Sequence, residues 1–148
     1  MVNYELTGLS YAWIGVLFTE DQYLGEDNMV VCSRNEEEKL SIDHYYRRKD
    51  DPRLMRIEPE DYLKKKYISF NPAGYIYCRF SRYKYTESSY VTDLSKPHYI
   101  YVERGAPGEQ LADKLSQRFQ PSDSRIEFAS TVYAPVSTRS WLVKIHGI

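Results

Sequence analysis

Three histidines, His44, His98 and His146, are the only side chains of this 148-residue chain that ordinarily titrate near neutrality, so general acid–base chemistry would have to recruit one of them. His44 stands beside Ser41 and Asp43, the residue types of a nucleophilic triad. Members of a working triad converge from distant chain positions, and neighbours this close cannot aim along one chain of hydrogen bonds. His98, after Pro97, reads as a hydrogen-bonded strand-end residue, and His146 lies near the end of the sequence, where order is least secure. Glu37 and Lys39 have the acid-x-lysine spacing with which metal-dependent nucleases hold a cation and orient water. They sit inside Glu36-Glu37-Glu38-Lys39, a run that also reads simply as a solvated turn. Gly105-Ala106-Pro107-Gly108 could offer backbone N–H groups to an anion, but it lacks the GxxxxGK[ST] and GxGxxG patterns and reads as a loop that starts a helix. Neither CxxC nor HExxH occurs. No catalytic residue, metal or cofactor is therefore expected, and a nuclease built on Glu37, Lys39 and His44 is the enzymatic alternative.

Aromatic chemistry is the stronger signal. Tyrosines number 15 against 5 Phe and 2 Trp, so most of the aromatic surface carries a polar tip that needs water or a partner. From residue 75 onward Ile76, Cys78 and Phe80 alternate with Tyr75, Tyr77, Arg79, Ser81, Tyr83 and Tyr85, which in a strand gives one core face and one aromatic, basic face. Tyr99 and Tyr101 alternate in the same way with Ile100 and Val102. With the two strands adjacent, Tyr75, Tyr77, Arg79, Tyr99 and Tyr101 would share a platform. Rigid amphipathic rings beside Arg suit a protein interface. The same rings could stack on unpaired bases, with Arg79, Arg82 or Lys84 on phosphate.

These segments must be positioned by one domain, because 148 residues is an ordinary single-domain length. The net charge of −1 argues against a dedicated duplex-DNA binder, which needs a strongly basic face. Residues 1–33 hold five acids and no Lys or Arg, hence −5, which leaves +4 on the remainder. Such an asymmetry allows unlike surfaces of two copies to meet. No apolar run approaches the ~20 residues of a membrane helix and no secretory leader is visible, so the expected location is cytoplasmic or virion-associated. Cys32 and Cys78 lie in separate apolar runs and are expected to be buried free thiols, with a disulfide as the alternative.

Residues 11–19 and 28–33 read as a hairpin, with an acidic loop between them. Residues 34–66 contain ten Lys/Arg and nine Asp/Glu and read as a solvated region. Within it, acids and Pro59 at the start and lysines at the end predict a short helix over 58–66. Residues 67–85 return to strand around the turn Asn71-Pro72-Ala73-Gly74. Leu111, Ala112, Leu115 and Phe119 form an apolar stripe that predicts a helix over 108–119. Strands near 125–133 and 138–145 follow. The fold class is therefore α+β, a mainly antiparallel sheet with two short helices and a C-terminal β-α-β-β unit.

Two partial resemblances accompany this pattern. Gly74-Tyr75-Ile76-Tyr77-Cys78-Arg79-Phe80 and Ile100-Tyr101-Val102-Glu103-Arg104-Gly105 resemble the two ribonucleoprotein signatures of RNA-recognition motifs, in reversed order, which excludes a complete standard domain of that kind. The C-terminal third, from Tyr101-Val102-Glu103 through Leu111-Ala112-Asp113-Lys114-Leu115 to Trp141-Leu142-Val143-Lys144-Ile145, is similar to small tailed-phage neck and tail-terminator proteins. That resemblance implies ring assembly without cofactor or catalysis. The expected function is a non-enzymatic interaction or assembly protein that uses Tyr75, Tyr77, Arg79, Tyr83, Tyr85, Tyr99 and Tyr101. Its partners are expected to be proteins, a second copy of the chain among them, and single-stranded RNA or DNA binding through the same face is the alternative.

Overall fold

Val2, Tyr4, Leu6 and Gly8 are buried and alternate with half-buried Asn3, Glu5, Thr7 and Leu9, the period of two that a strand produces when only one of its faces meets a core. The computed structural model describes residues 1–9, 12–19, 27–35, 37–47, 55–57, 62–83, 85–86, 91, 93–94, 98–105, 131–133 and 141–147. Its strands are β1 (Val2–Leu9), β2 (Trp13–Thr19), β3 (Asp27–Arg34), β4 (Leu40–Arg47), β5 (Met55–Arg56), β6 (Leu63–Phe70), β7 (Tyr75–Arg82), β8 (Tyr99–Gly105), β9 (Thr131–Tyr133) and β10 (Trp141–Gly147). They form two five-stranded sheets, β6-β7-β1-β10-β9 and β5-β4-β3-β2-β8, below called the first and second sheet. Every pairing is antiparallel.

The inner faces of the sheets meet in one core of Val2, Tyr4, Leu6, Ile76 and Phe80 from the first and Ile14, Val16, Phe18, Val30 and Ile42 from the second. Tyr4 stands at its centre, stacked on Phe80 and edge-on to Phe18, both at 5.2 Å between ring centroids. Ring pairs at that spacing add about 1 kcal/mol to the area they bury. Cys32 of β3 and Cys78 of β7 are joined by a disulfide. The expectation of two free thiols is overturned: both residues alternate inward, and facing the two sheets brings their Cα atoms to 6.5 Å, within reach of a bridge. A separation of 46 positions hides that proximity from the sequence.

The α+β expectation is also overturned, because no helix occurs among the described residues. Of the segment expected as a helix over 58–66, residues 58–61 lie outside the described residues, and the rest is a turn at Tyr62 followed by β6 from Leu63. Complementing a helix dipole is worth less than about 1 kcal/mol, whereas the strand gains a ladder to β7 and buries Leu63 against the core. Lys64, Lys65 and Lys66 suit this place, since β6 is an outer strand and lysines discourage edge-to-edge pairing. An irregularity between Lys64 and Tyr67, with Lys65 at a φ of 52°, twists this edge further. The segment expected as a helix over 108–119 lies outside the described residues. The C-terminal β-α-β-β unit is not one layer. β8 joins β2 in the second sheet, while β9 and β10 join β1 in the first.

The two expected hairpins are present. β2 pairs β3 from Trp13↔Ser33 to Phe18↔Asn28, and β6 turns into β7 through Asn71, whose side chain accepts the Ala73 N–H at 2.7 Å. Gly74 closes that turn at a φ of 95°, in the region glycine enters without a Cβ penalty. Gly105 has a different task. It lies opposite buried Trp13 in the β2–β8 register, and a Cβ there would overlap the indole ring. Gly105→Ala is expected to destabilise the fold by about 2 kcal/mol through overpacking, read as a lower urea midpoint with an unchanged slope. A midpoint equal to wild type would show that the indole has room to move.

Candidate functional site

Residues on the outer face of the first sheet follow from the alternation of β6 and β7. Because Ile76, Cys78 and Phe80 are buried, Tyr75, Tyr77 and Arg79 turn outward, and the register puts Tyr67 opposite Arg79 and Ser69 opposite Tyr77. The Arg79 guanidinium lies 4.8 Å from the centre of the Tyr67 ring, and the Tyr67 and Tyr77 rings meet at 6.1 Å and 62°. Tyr67 and Tyr75 remain 47% and 42% exposed. An aromatic group fixed by a cation and a second ring keeps little rotamer freedom to lose on binding, which is what a recognition surface requires.

Not every residue singled out in the sequence reaches this cluster. Tyr83 and Tyr85 follow the end of β7 and are exposed. Tyr99 and Tyr101 stand in β8, opposite Thr19 and Leu17, in the other sheet, so a platform made of adjacent strands 75–85 and 99–103 does not form. Arg82 is fully buried and unavailable to a phosphate, and Lys84 lies outside the described residues. Tyr67 takes the place that β8 was expected to fill. Its signal was the β6–β7 turn itself, which places residues 67 and 79 opposite each other.

A groove of about 320 Å³ continues from Tyr67 along the side of the sandwich, between β4 and β6. Leu40, Ser41, Ile42, Asp43, Arg56, Lys66, Tyr67 and Ile68 line it. A polar relay runs into it: the Ser33 and Ser41 hydroxyls are 3.0 Å apart, Ser41 donates to Asp43 at 3.0 Å, and Arg56 Nη2 donates to Asp43 Oδ1 at 2.7 Å. The relay holds a half-exposed guanidinium in place. Sequence reasoning missed Arg56 and Lys66, because β4, β5 and β6 come together only in the tertiary structure.

The candidate catalytic groups are dispersed. Ser41 and Asp43 face the groove, whereas His44, one position on, is buried in the core. There Asn28 Nδ2 donates to His44 Nε2 at 2.5 Å, which leaves the ring proton on Nδ1. Burial, and secondarily the Arg82 charge, depress the His44 pKa to about 3, so the ring is neutral at neutral pH. Arg82 itself lies 5.0 Å from the Phe18 ring. Burial lowers its pKa to about 10, against the opposing influence of Tyr4 and Asp93, and it remains a cation. Burial likewise pushes the Tyr4 phenol well above its usual range, the Arg82 charge opposing. His98 is buried and packs edge-on against Phe18. Glu37 and Lys39 are exposed in the turn between β3 and β4, where Arg34 pairs with Glu38 at 2.7 Å. Among the described residues no three His, Cys, Asp or Glu side chains converge as a metal site, and no helix is long and apolar enough to cross a membrane.

Comparison with protein-family models, curated proteins and solved structures yields no match, so a functional reading rests on the residues of this chain and their geometry.

Proposed function

We propose that this β-sandwich is a non-enzymatic binding module that docks an acidic protein surface on the outer face of its first sheet, through Tyr67, Tyr75, Tyr77 and Arg79. The observation that carries this reading is the ordered Tyr67–Tyr77–Arg79 contact set on an exposed face. Tyr and Arg are the side chains that most often dominate interface energetics. On this face Arg79 and Lys64 outnumber Glu5, which lies opposite Arg79 in the register, so an acidic partner is the complementary one. Residues 1–33 of a second copy, which carry −5 by sequence, are one candidate partner. The inter-sheet disulfide favours an oxidising environment, as on an extracellular or virion surface, over the reducing cytoplasm.

Sedimentation velocity over a concentration series tests the self-association form. Concentration-dependent association abolished in Tyr67→Ser/Tyr77→Ser is the expected result, and a strict monomer at every concentration counts against it. Single-stranded nucleic acid is the competing occupant, since stacking uses the same rings. Salt-sensitive binding of an unstructured oligonucleotide, lost in Tyr77→Ala and Arg79→Ala, would replace the protein reading.

A further inference from the structure

Arg79 and Glu37 are exposed charges on different surfaces of the sandwich, and neither has a counter-ion. The Arg79 guanidinium rests on the Tyr67 ring, with no hydrogen bond or ion pair of its own, and Glu5, opposite it in the register, is engaged elsewhere. Glu37 stands in the turn between β3 and β4, which Asn35 builds. The Asn35 N–H donates to the Lys39 carbonyl at 3.0 Å, its side-chain oxygen accepts the Lys39 N–H at 2.8 Å, and its carbonyl accepts the Glu38 N–H at 2.9 Å. Glu38 closes the turn at a φ of 64° and pairs with Arg34 at 2.7 Å. Among the described side chains Glu37 is therefore the carboxylate left over: Glu38 and Asp43 are paired, and Glu5 and Asp93 have contacts of their own. Lys39 is exposed beside it, so this acid-x-lysine pair stands on a rigid projection, without the third ligand of a metal site among the described residues.

We propose that the tyrosine face receives the β3–β4 turn of a second copy of this chain, with Glu37 on the Arg79 guanidinium and the Lys39 ammonium on the exposed Tyr75 ring. The inference rests on the docking role of that face and names its partner. A guanidinium held flat on a ring still presents N–H donors along its edge, which match a carboxylate in a fork, and an ammonium suits the face of a tyrosine. Both surfaces are ordered before they meet, the turn by Asn35 and Arg34 and the guanidinium by Tyr67, so little freedom is lost on contact. The turn belongs to the second sheet and Arg79 points away from that sheet, so one copy cannot satisfy its own pair. The contact is heterologous: each copy offers one face and one turn, and copies add head to tail into a ring or a filament.

Sedimentation velocity of the full-length chain tests this with Arg79→Glu and Glu37→Arg, alone and mixed. Both positions are exposed, so urea midpoints should match wild type. Each variant alone should associate about tenfold or more weakly than wild type, because like charges then meet. An equimolar mixture should regain association, since Arg79→Glu keeps the native turn, Glu37→Arg keeps the native face, and the two reversed positions attract each other. Lys39→Gln should weaken association by a smaller factor. Wild type that stays monomeric at every concentration overturns this inference and leaves the face to a different protein. Association lost in Tyr67→Ser/Tyr77→Ser but unchanged in Glu37→Arg overturns the turn as partner and returns that part to residues 1–33, with the docking face intact. Loss in both charge variants without recovery on mixing overturns the head-to-tail pairing.

Discussion

Replacing Cys32 and Cys78 together with alanine is expected to lower the unfolding free energy by about 4 kcal/mol, the loop-closure value for a bridge spanning 46 positions. Reductant should lower the wild-type stability by a similar amount and leave the double variant unchanged. The bridge ties β3 of one sheet to β7 of the other, beside Ile42 and Leu6 in the respective registers. Its loss therefore releases the two layers from each other rather than one loop. Since a domain is stable by only about 5–15 kcal/mol, the reduced chain should be marginal at physiological temperature. Urea unfolding with and without reductant measures the effect, and intact mass before and after thiol alkylation counts the free cysteines. Stability insensitive to reductant, together with two alkylated thiols in the untreated protein, would show that the bridge does not form. The same experiment bears on the working environment of the module, because a reducing compartment would withhold this contribution.

Acid should unfold the protein well before its carboxylates are all protonated. His44 ordinarily titrates at 6.5 and in the fold is held to about 3, chiefly by burial. Between those values the unfolded chain binds a proton that the folded chain refuses, so the stability contribution of the neutral ring is complete above 6.5 and declines as the pH falls toward 3. The slope from this one group is about 1 kcal/mol per pH unit. His44→Gln, which keeps an acceptor for Asn28, removes the titration. Urea denaturation at pH 7 and pH 4.5 should show a loss about 2–3 kcal/mol smaller in the variant than in wild type. Identical losses in the two proteins would mean that His44 is protonated without cost in the folded state. Arg82 stays charged throughout this range and adds to the cost of a second cation nearby, which is why the two groups reinforce each other.

Local pattern carried much of the architecture. The β2–β3 and β6–β7 hairpins were legible because their strands are contiguous, β-branched or aromatic, and separated by a loop with its own turn chemistry. Alternation at Ile76, Cys78 and Phe80 identified a core face correctly, and the opposite residues Tyr75, Tyr77 and Arg79 do turn outward. β4 was hidden by its charges: Ile42 and His44 face the core, while Ser41, Asp43 and neighbouring Arg and Lys residues made the stretch look like solvated surface. β6 misled for a similar reason, since three lysines that protect an outer strand resemble the basic end of a helix.

The sequence by itself determined that Ile76, Cys78 and Phe80 face a core while Tyr75, Tyr77 and Arg79 turn away from it, that the stretches 13–18 and 28–33 pair, and where the Asn71–Gly74 turn falls. Each of these depends on side-chain type within a few positions, which is the range of strand periodicity and turn geometry. The tertiary structure alone decided the pairing of the strands into two sheets: β1 beside both β7 and β10, β8 with β2, Cys32 against Cys78, and β4 across a groove from β6. Those contacts join residues tens to more than a hundred positions apart. They are selected by how two apolar faces close on each other, not by any local preference. For the same reason the tyrosine platform contains Tyr67 in place of Tyr99 and Tyr101, and Arg82, which looked like a surface cation, is a core residue.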